Sequence, residues 1–271
     1  MKSDRGFALL LVLWTMVLLA LLVTHIAANG RAEAQLAGNI RAAAITRAAA
    51  DGAIATAAYA LLLPPADRWR ADDAPHALIL DGVAATIRIA DESGKVNPNS
   101  AAAPLLAALL GQFGLDNGAA QRIAAAIVDW RTPGAEPSPN GAKLPEYTAA
   151  GLRYGPPDAF YQSLPELGAV LGMTPELLAR LTPYLSLYTT TDPNPALAAP
   201  PVLAALHALY GSQLPPPPPP DAIPPVVAVT ATATGPGNAR FTRRAILRLV
   251  IDQGGARPPE VLIADWSAPG S

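Results

Sequence analysis

FALLLVLWTMVLLALLVTHIAA, Phe7 to Ala28, contains no Asp, Glu, Lys or Arg and decides how the rest of the chain is read. At about 1.5 Å per residue, a helix of this length crosses a hydrocarbon core of about 30 Å. In front of it stands MKSDRG: Lys2, Asp4 and Arg5 lead to Gly6, and the apolar run begins at once with Phe7. A secretory signal has a shorter apolar region, roughly 7–15 residues, with its cleavage site behind it after small residues. Here the small residue lies before the run. A cut between Gly6 and Phe7 would remove the charged leader and keep the membrane helix. An uncut signal anchor is the plainer alternative. In both cases Lys2 and Arg5 favour a cytoplasmic amino terminus, with the bulk of the chain outside.

The chain has 271 residues, long enough for one elongated domain or two modest ones beyond the membrane segment. A formal net charge of −2 gives no general case for nucleic acid or acidic lipid as partner. The absence of cysteine rules out disulfides. Thirty prolines against four phenylalanines and four tryptophans point to many turns around alanine- and leucine-rich helices.

Past the membrane the helical pattern continues, with no proline until Pro64. Leu36, Ile40, Ala43, Arg47, Ala50 and Ile54 recur at spacings of three and four, so one helix is expected from Phe7 to Leu63, loosened at Asn29-Gly30 or Gly38-Asn39. Pro64-Pro65 ends it. His76–Leu80 and Val83–Ala90 then flank Asp81-Gly82, a strong hairpin signal. Val83, Ala85, Ile87 and Ile89 alternate with Ala84, Thr86, Arg88 and Ala90, as in a half-buried strand.

Short amphipathic helices are expected at Pro104–Phe113, Asn117–Trp130, Leu164–Leu171, Thr174–Tyr184 and Pro201–Tyr210, the fourth begun by Thr174 as N-cap with Pro175 behind it. Trp130 to Gln162 reads as a long loop rich in Pro, Gly and Asn. NPNSAAAPLLAAL (Asn97–Leu109) matches NPALAAPPVLAAL (Asn194–Leu206) without gaps, which implies two related helical modules. Pro215 to Pro220 is a stiff polyproline spacer. Strand patterns return at Val226–Thr234, Arg240–Asp252 and Pro259–Trp266, with Arg244, Arg248 and Asp265 as exposed positions. Strands on both sides of a helical block imply one sheet interrupted by an insertion.

Set against known families, the Gly6-Phe7 junction resembles the type IV pilin and pseudopilin signal, which a prepilin peptidase cuts on the cytoplasmic side. RGFALLLVLW, RAEAQLAGN, DESGKVNPNSA, AIVDWRTP, FYQSLPELGAVLGMTPELLARLTPYLSLY and the Asn194-Pro195 turn together resemble the minor pseudopilin family GspK of type II secretion, in order along nearly the whole chain. The resemblance implies an α+β, pilin-like fold: a long N-terminal transmembrane helix packed on a small antiparallel sheet, with a large all-α insertion of two SAM-like or helix-hairpin-helix-like modules. The corresponding segments are the leader 1–6, helix 7–63 (7–28 transmembrane), the first sheet segment 64–96, inserted helices 97–210, Pro-rich linker 211–225 and the second sheet segment 226–271. It further implies a single-pass protein of the Gram-negative inner membrane with its bulk in the periplasm, cleaved and N-methylated at Phe7. Its expected place is the tip of the secretion pseudopilus, with GspI, GspJ and GspH as partners and the secretin or exoproteins within reach. Leu36, Ile40 and Ile54 would make the helix–helix contacts of assembly.

If Phe7 is the first mature residue, the fifth is Leu11, where most pilins carry a glutamate that pairs with a neighbour's amino terminus. A carboxylate in hydrocarbon is costly unless paired. A topmost subunit has no subunit above it to supply that amine, which makes the apolar residue fitting.

For chemistry the pattern is poor. His25, His76 and His207 lack metal-ligand spacing, and no serine stands in a G-x-S-x-G elbow, so no enzyme activity and no required cofactor are expected. The resemblance implies one candidate calcium site, in the loop DWRTPGAEPSPNGAKLPEY, where Asp129, Glu136 and Glu146 are the available carboxylates and Thr132 and Lys143 stand where the family often has acids. Calcium needs about six to eight oxygens. The rival to the secretion reading is a membrane-anchored, competence-type DNA receptor built on helix-hairpin-helix modules. Between Asn97 and Leu206, however, five basic residues face eight acidic ones, a net of −3. The turn Gln112-Phe113-Gly114 also lacks the Gly-hydrophobic-Gly form that offers amides to phosphate. Nucleic acid is therefore not expected as a partner.

Overall fold

The computed structural model describes residues 4–214, 216, 219, 223–250 and 259–268. One helix, α1, runs unbroken from Asp4 to Ala60, about 85 Å at the standard rise. Neither Asn29-Gly30 nor Gly38-Asn39 interrupts it. It stops three residues short of the expected Leu63, where Leu62 N–H turns back to the Tyr59 carbonyl and Leu61 enters the core.

Only the carboxyl-terminal third of α1 touches the rest of the fold. Ala49, Ala50, Ala53, Ile54, Ala57 and Leu61 form one helical face and are buried against a five-stranded antiparallel sheet. The strands lie in chain order: β1 (His76–Leu80), β2 (Val83–Asp91), β3 (Val226–Thr234), β4 (Arg240–Val250) and β5 (Glu260–Ser267). Ile251 and Asp252, expected at the end of β4, lie outside the described residues, as does most of the polyproline run. The β1–β2 turn needs both central residues at positive φ, and Asp81 (47°) and Gly82 (81°) supply them. Val83, Ala85, Ile87 and Ile89 of β2 face the helix, as do Val227, Val229, Ala231 and Ala233 of β3. Four alanines on the buried face of α1 let its backbone approach closely. At the far end, a Cβ on Gly235 would stand 2.1 Å from Thr46 Oγ1, so only glycine fits there.

β2 and β3 pair along eight residues although 134 residues separate Asp91 from Val226, so the sheet is continuous across the insertion. The inserted helices are α2 (Ala103–Gly111), α3 (Asn117–Arg131), α4 (Leu144–Ala149), α5 (Pro175–Leu181) and α6 (Pro200–Tyr210), with 3-10 turns at Leu164–Ala169 and Thr182–Tyr184. They share a core of their own around Leu105, Leu109, Ile127, Trp130, Tyr147, Leu167 and Leu206. α4 falls inside the stretch expected to be loop. Its six residues are too few to show a period, and Glu146 closes its start by accepting from the Lys143 amide at 2.8 Å. Pro183 divides the expected Thr174–Tyr184 helix in two.

The repeated segments use the same local device. Asn97 Oδ1 accepts from the Asn99 amide and Asn194 Oδ1 from the Ala196 amide, and each segment runs into a helix with proline in its first turn. Those helices, α2 and α6, pack side by side.

The block docks on the sheet face opposite α1, where Tyr188 covers Val226, Ala228 and Ile246. Buried Glu92 anchors this junction, holding Lys95 at 2.6 Å and Arg244 at 3.7 Å. Arg244 is thus half-buried by an ion pair, and Asp265 is half-buried as well, contrary to the exposed placement expected for both; Arg248 is exposed.

Candidate functional site

Two regions carry the residues singled out in the sequence: the projecting stretch of α1 and the loop after α3. The apolar side chains of α1 stand clear of the fold from Phe7 (72% exposed) to Val23 (62%), with Leu11 at 53%. This is the one helix among the described residues long and apolar enough to cross a membrane. Gly6 and Phe7 lie in its first turn.

The stripe beyond the membrane segment divides in two. Leu36 (60%) and Ile40 (61%) are exposed and available to a partner. Ile54 is 2% exposed and packs on the sheet, which corrects its expected role in contacts between subunits. Periodicity marks an apolar face without saying what covers it; here the chain's own strands cover the face from Ala49 onward. The free stretch of α1 therefore ends near Ile45.

α1 is held at the sheet by an ion pair that the sequence pattern did not reveal. Arg243 lies on the α1-facing row of β4 with Ala245, Leu247 and Leu249, and its side chain is 5% exposed. It donates to both oxygens of Asp51, at 2.7 and 3.4 Å, and sits between the rings of Phe241 (5.0 Å) and Trp266 (5.1 Å). Desolvated guanidinium suits such a bidentate, ring-stacked position better than ammonium would.

In the helical block, the segments that carry the resemblance converge. Asn99 pairs with the Tyr161 backbone in both directions, at 2.9 and 2.8 Å. Arg131 donates to the Pro98 and Ala101 carbonyls at 2.6 and 2.7 Å. Trp130 stacks on Tyr161 with ring centres 6.0 Å apart. Burial pushes the Tyr147 hydroxyl up to about 12 and raises that of Tyr161 as well, so both stay neutral hydrogen-bonding groups of the core. These groups hold the architecture of the block. The three histidines stay apart: His25 on the free helix, His76 stacked on Trp69 in β1, His207 in α6.

The calcium expectation does not fit the side chains present. Asp129 Oδ2 is occupied by the Ser138 and Ala142 amides, both at 3.0 Å, and Glu146 is committed to the Lys143 amide. Glu136 is exposed at the loop's outer side. Among the described residues no group of three or more His, Cys, Asp or Glu side chains could hold a metal ion. What fills the loop is Lys143, which the sequence flagged only as an absent acid. The DNA reading gains nothing either: Phe113 of the candidate turn is packed against Tyr184 and lies under Arg180, 5.2 Å from its guanidinium.

Residues 80–190 match the family model described as Type II secretion system (T2SS), protein K. No curated protein sequence matches the chain. Among solved structures, the fold is similar to a chain in the crystal structure of the GspK-GspI-GspJ complex from the enterotoxigenic Escherichia coli Type 2 Secretion System. The TM-score is 0.63 at 14% identity, covering 90% of this chain and 100% of that one. The stretch from the end of β1 to just beyond the turn after α5 is thus similar to type II secretion system protein K, and the chain as a whole shares the fold seen in that complex.

Proposed function

We propose that this protein is a minor pseudopilin at the tip of the type II secretion pseudopilus, where it primes assembly and supports export of folded proteins. The observation that carries the reading is the union of a free apolar helix with a single sheet that a helical block interrupts between β2 and β3, β2 and most of that block lying in the stretch similar to protein K. The long helix anchors the chain in the inner membrane, amino terminus inside and the sheet and helical block in the periplasm. A prepilin peptidase cuts between Gly6 and Phe7, and the new amine is methylated. Leu11 offers no carboxylate to a neighbour, while the Phe7 amine remains free to accept one, which suits a first or topmost subunit. The inserted block points the same way: repeated at every subunit, it would crowd a helical stack. By likeness to the complex named above, GspI and GspJ are the partners. The exposed Leu36 and Ile40 are the proposed contact with them, and the sequence resemblance adds GspH below, with the secretin or exoproteins meeting the block.

The role is structural and non-enzymatic. Deletion is expected to trap exoproteins in the periplasm, read by fractionation, while substitution of any exposed Asp, Glu, Ser or His leaves secretion intact. A variant that folds normally yet abolishes a measurable chemical reaction would overturn this reading. So would unimpaired secretion in the deletion strain.

A further inference from the structure

The loop from Asp129 to Asp158 holds a cation of its own. Lys143 is buried, its side chain 5% exposed, and its ammonium donates to the Asp129 carbonyl at 2.7 Å, the Thr132 carbonyl at 2.6 Å and Asp158 Oδ1 at 2.5 Å. An ammonium has three N–H groups, and all three are used. The oxygens come from three separate points: the last turn of α3, the residue that caps it, and a loop residue held at positive φ (Asp158, 55°). Without a central cation, two carbonyls and a carboxylate would converge with nothing between them. Water can reach the Asp158 carboxylate, 41% exposed, but the buried Asp129 carbonyl left without its donor is costly. The loop is also closed from the other side. A Cβ on Gly141 would stand 1.9 Å from Asp129 Oδ2, so glycine lets the backbone wrap tightly around that oxygen, which already accepts from the Ser138 and Ala142 amides.

We infer that the Lys143 ammonium is a built-in cation that takes the place of a metal ion, tying the end of α3 to the Asp158 loop and making the helical block independent of divalent cations. A divalent ion could bind these oxygens only by expelling Lys143. The inference concerns the block's stability and stands whether or not the protein caps a pseudopilus.

The test uses the full chain in detergent, with thermal unfolding followed by circular dichroism in chelator and in millimolar Ca²⁺. Wild type should show the same midpoint in both. Lys143→Ala should lower the midpoint by about 10 °C, the scale for losing a buried ammonium together with the packing of its side chain in a domain of this size. It should also become calcium-responsive, recovering some of the loss, because the vacated space is lined by the same oxygens. Calcium stabilisation of wild type would overturn the inference, and this arm decides alone if Lys143→Ala fails to fold. A loss that no divalent ion recovers would reduce Lys143 to an ordinary ion pair and overturn it too, as would an unchanged midpoint.

Discussion

Gly6→Glu is expected to leave the leader on the chain and to reduce secretion to the level of a deletion strain. The charged leader meets the apolar run at Gly6-Phe7 without a spacer. In the structure that junction falls in the first turn of α1, where backbone N–H groups lack partners within the helix and the chain is most easily opened. A glutamate places a bulky charge at the bond to be cut, beside a segment that belongs in hydrocarbon. Mass spectrometry of membrane-extracted protein should find a chain starting at Phe7 in wild type and at Met1 or Lys2 in the variant. A wild-type chain that keeps its leader in cells with active prepilin peptidase would contradict the pseudopilin reading.

Arg243→Met is expected to destabilise the periplasmic fold by about 3 kcal/mol, the scale for leaving one partner of a largely buried pair behind. The figure sits at the low end of that range because the Asp51 side chain is 34% exposed and water can partly recover it. Methionine keeps much of the contact with Phe241 and Trp266, so the loss reports the charge pair between α1 and β4. Chemical denaturation measures it. A double-mutant cycle with Asp51→Asn should give a coupling above about 1 kcal/mol, since the two groups touch. A coupling near zero would mean that apolar packing alone holds α1 on the sheet.

Local chemistry made much of this fold readable. Asp81-Gly82 specified its turn because few residues accept positive φ, and the alternation through Val83, Ala85, Ile87 and Ile89 named the face that meets the helix. The length of α1 followed from an unbroken run without proline. What stayed hidden depends on partners distant in sequence. Ile54 looked like a continuation of the Leu36 and Ile40 stripe, and only the presence of β2 to β4 beneath it separates them. Arg243 reads as one more charge on a strand until Asp51, 192 residues away, is placed against it. Lys143 reads as a loop lysine until its three oxygen partners converge. Asn99 and Arg131 were visible within motifs, but their work, fastening the start of α2 to Tyr161 and α3, appears only in the folded block.

The central claim is that this chain ends a filament and does not repeat along it. The sequence contains no cysteine, so engineered thiols report without background. The measurement is disulfide crosslinking in membranes of a cysteine at Leu36 or Ile40, both exposed on the free stretch of α1, against cysteines on the corresponding helices of GspI and GspJ. The account predicts discrete heterodimers with those partners, lost when GspI and GspJ are absent. Ladders of this protein crosslinked to itself would contradict it and make the chain a repeating subunit.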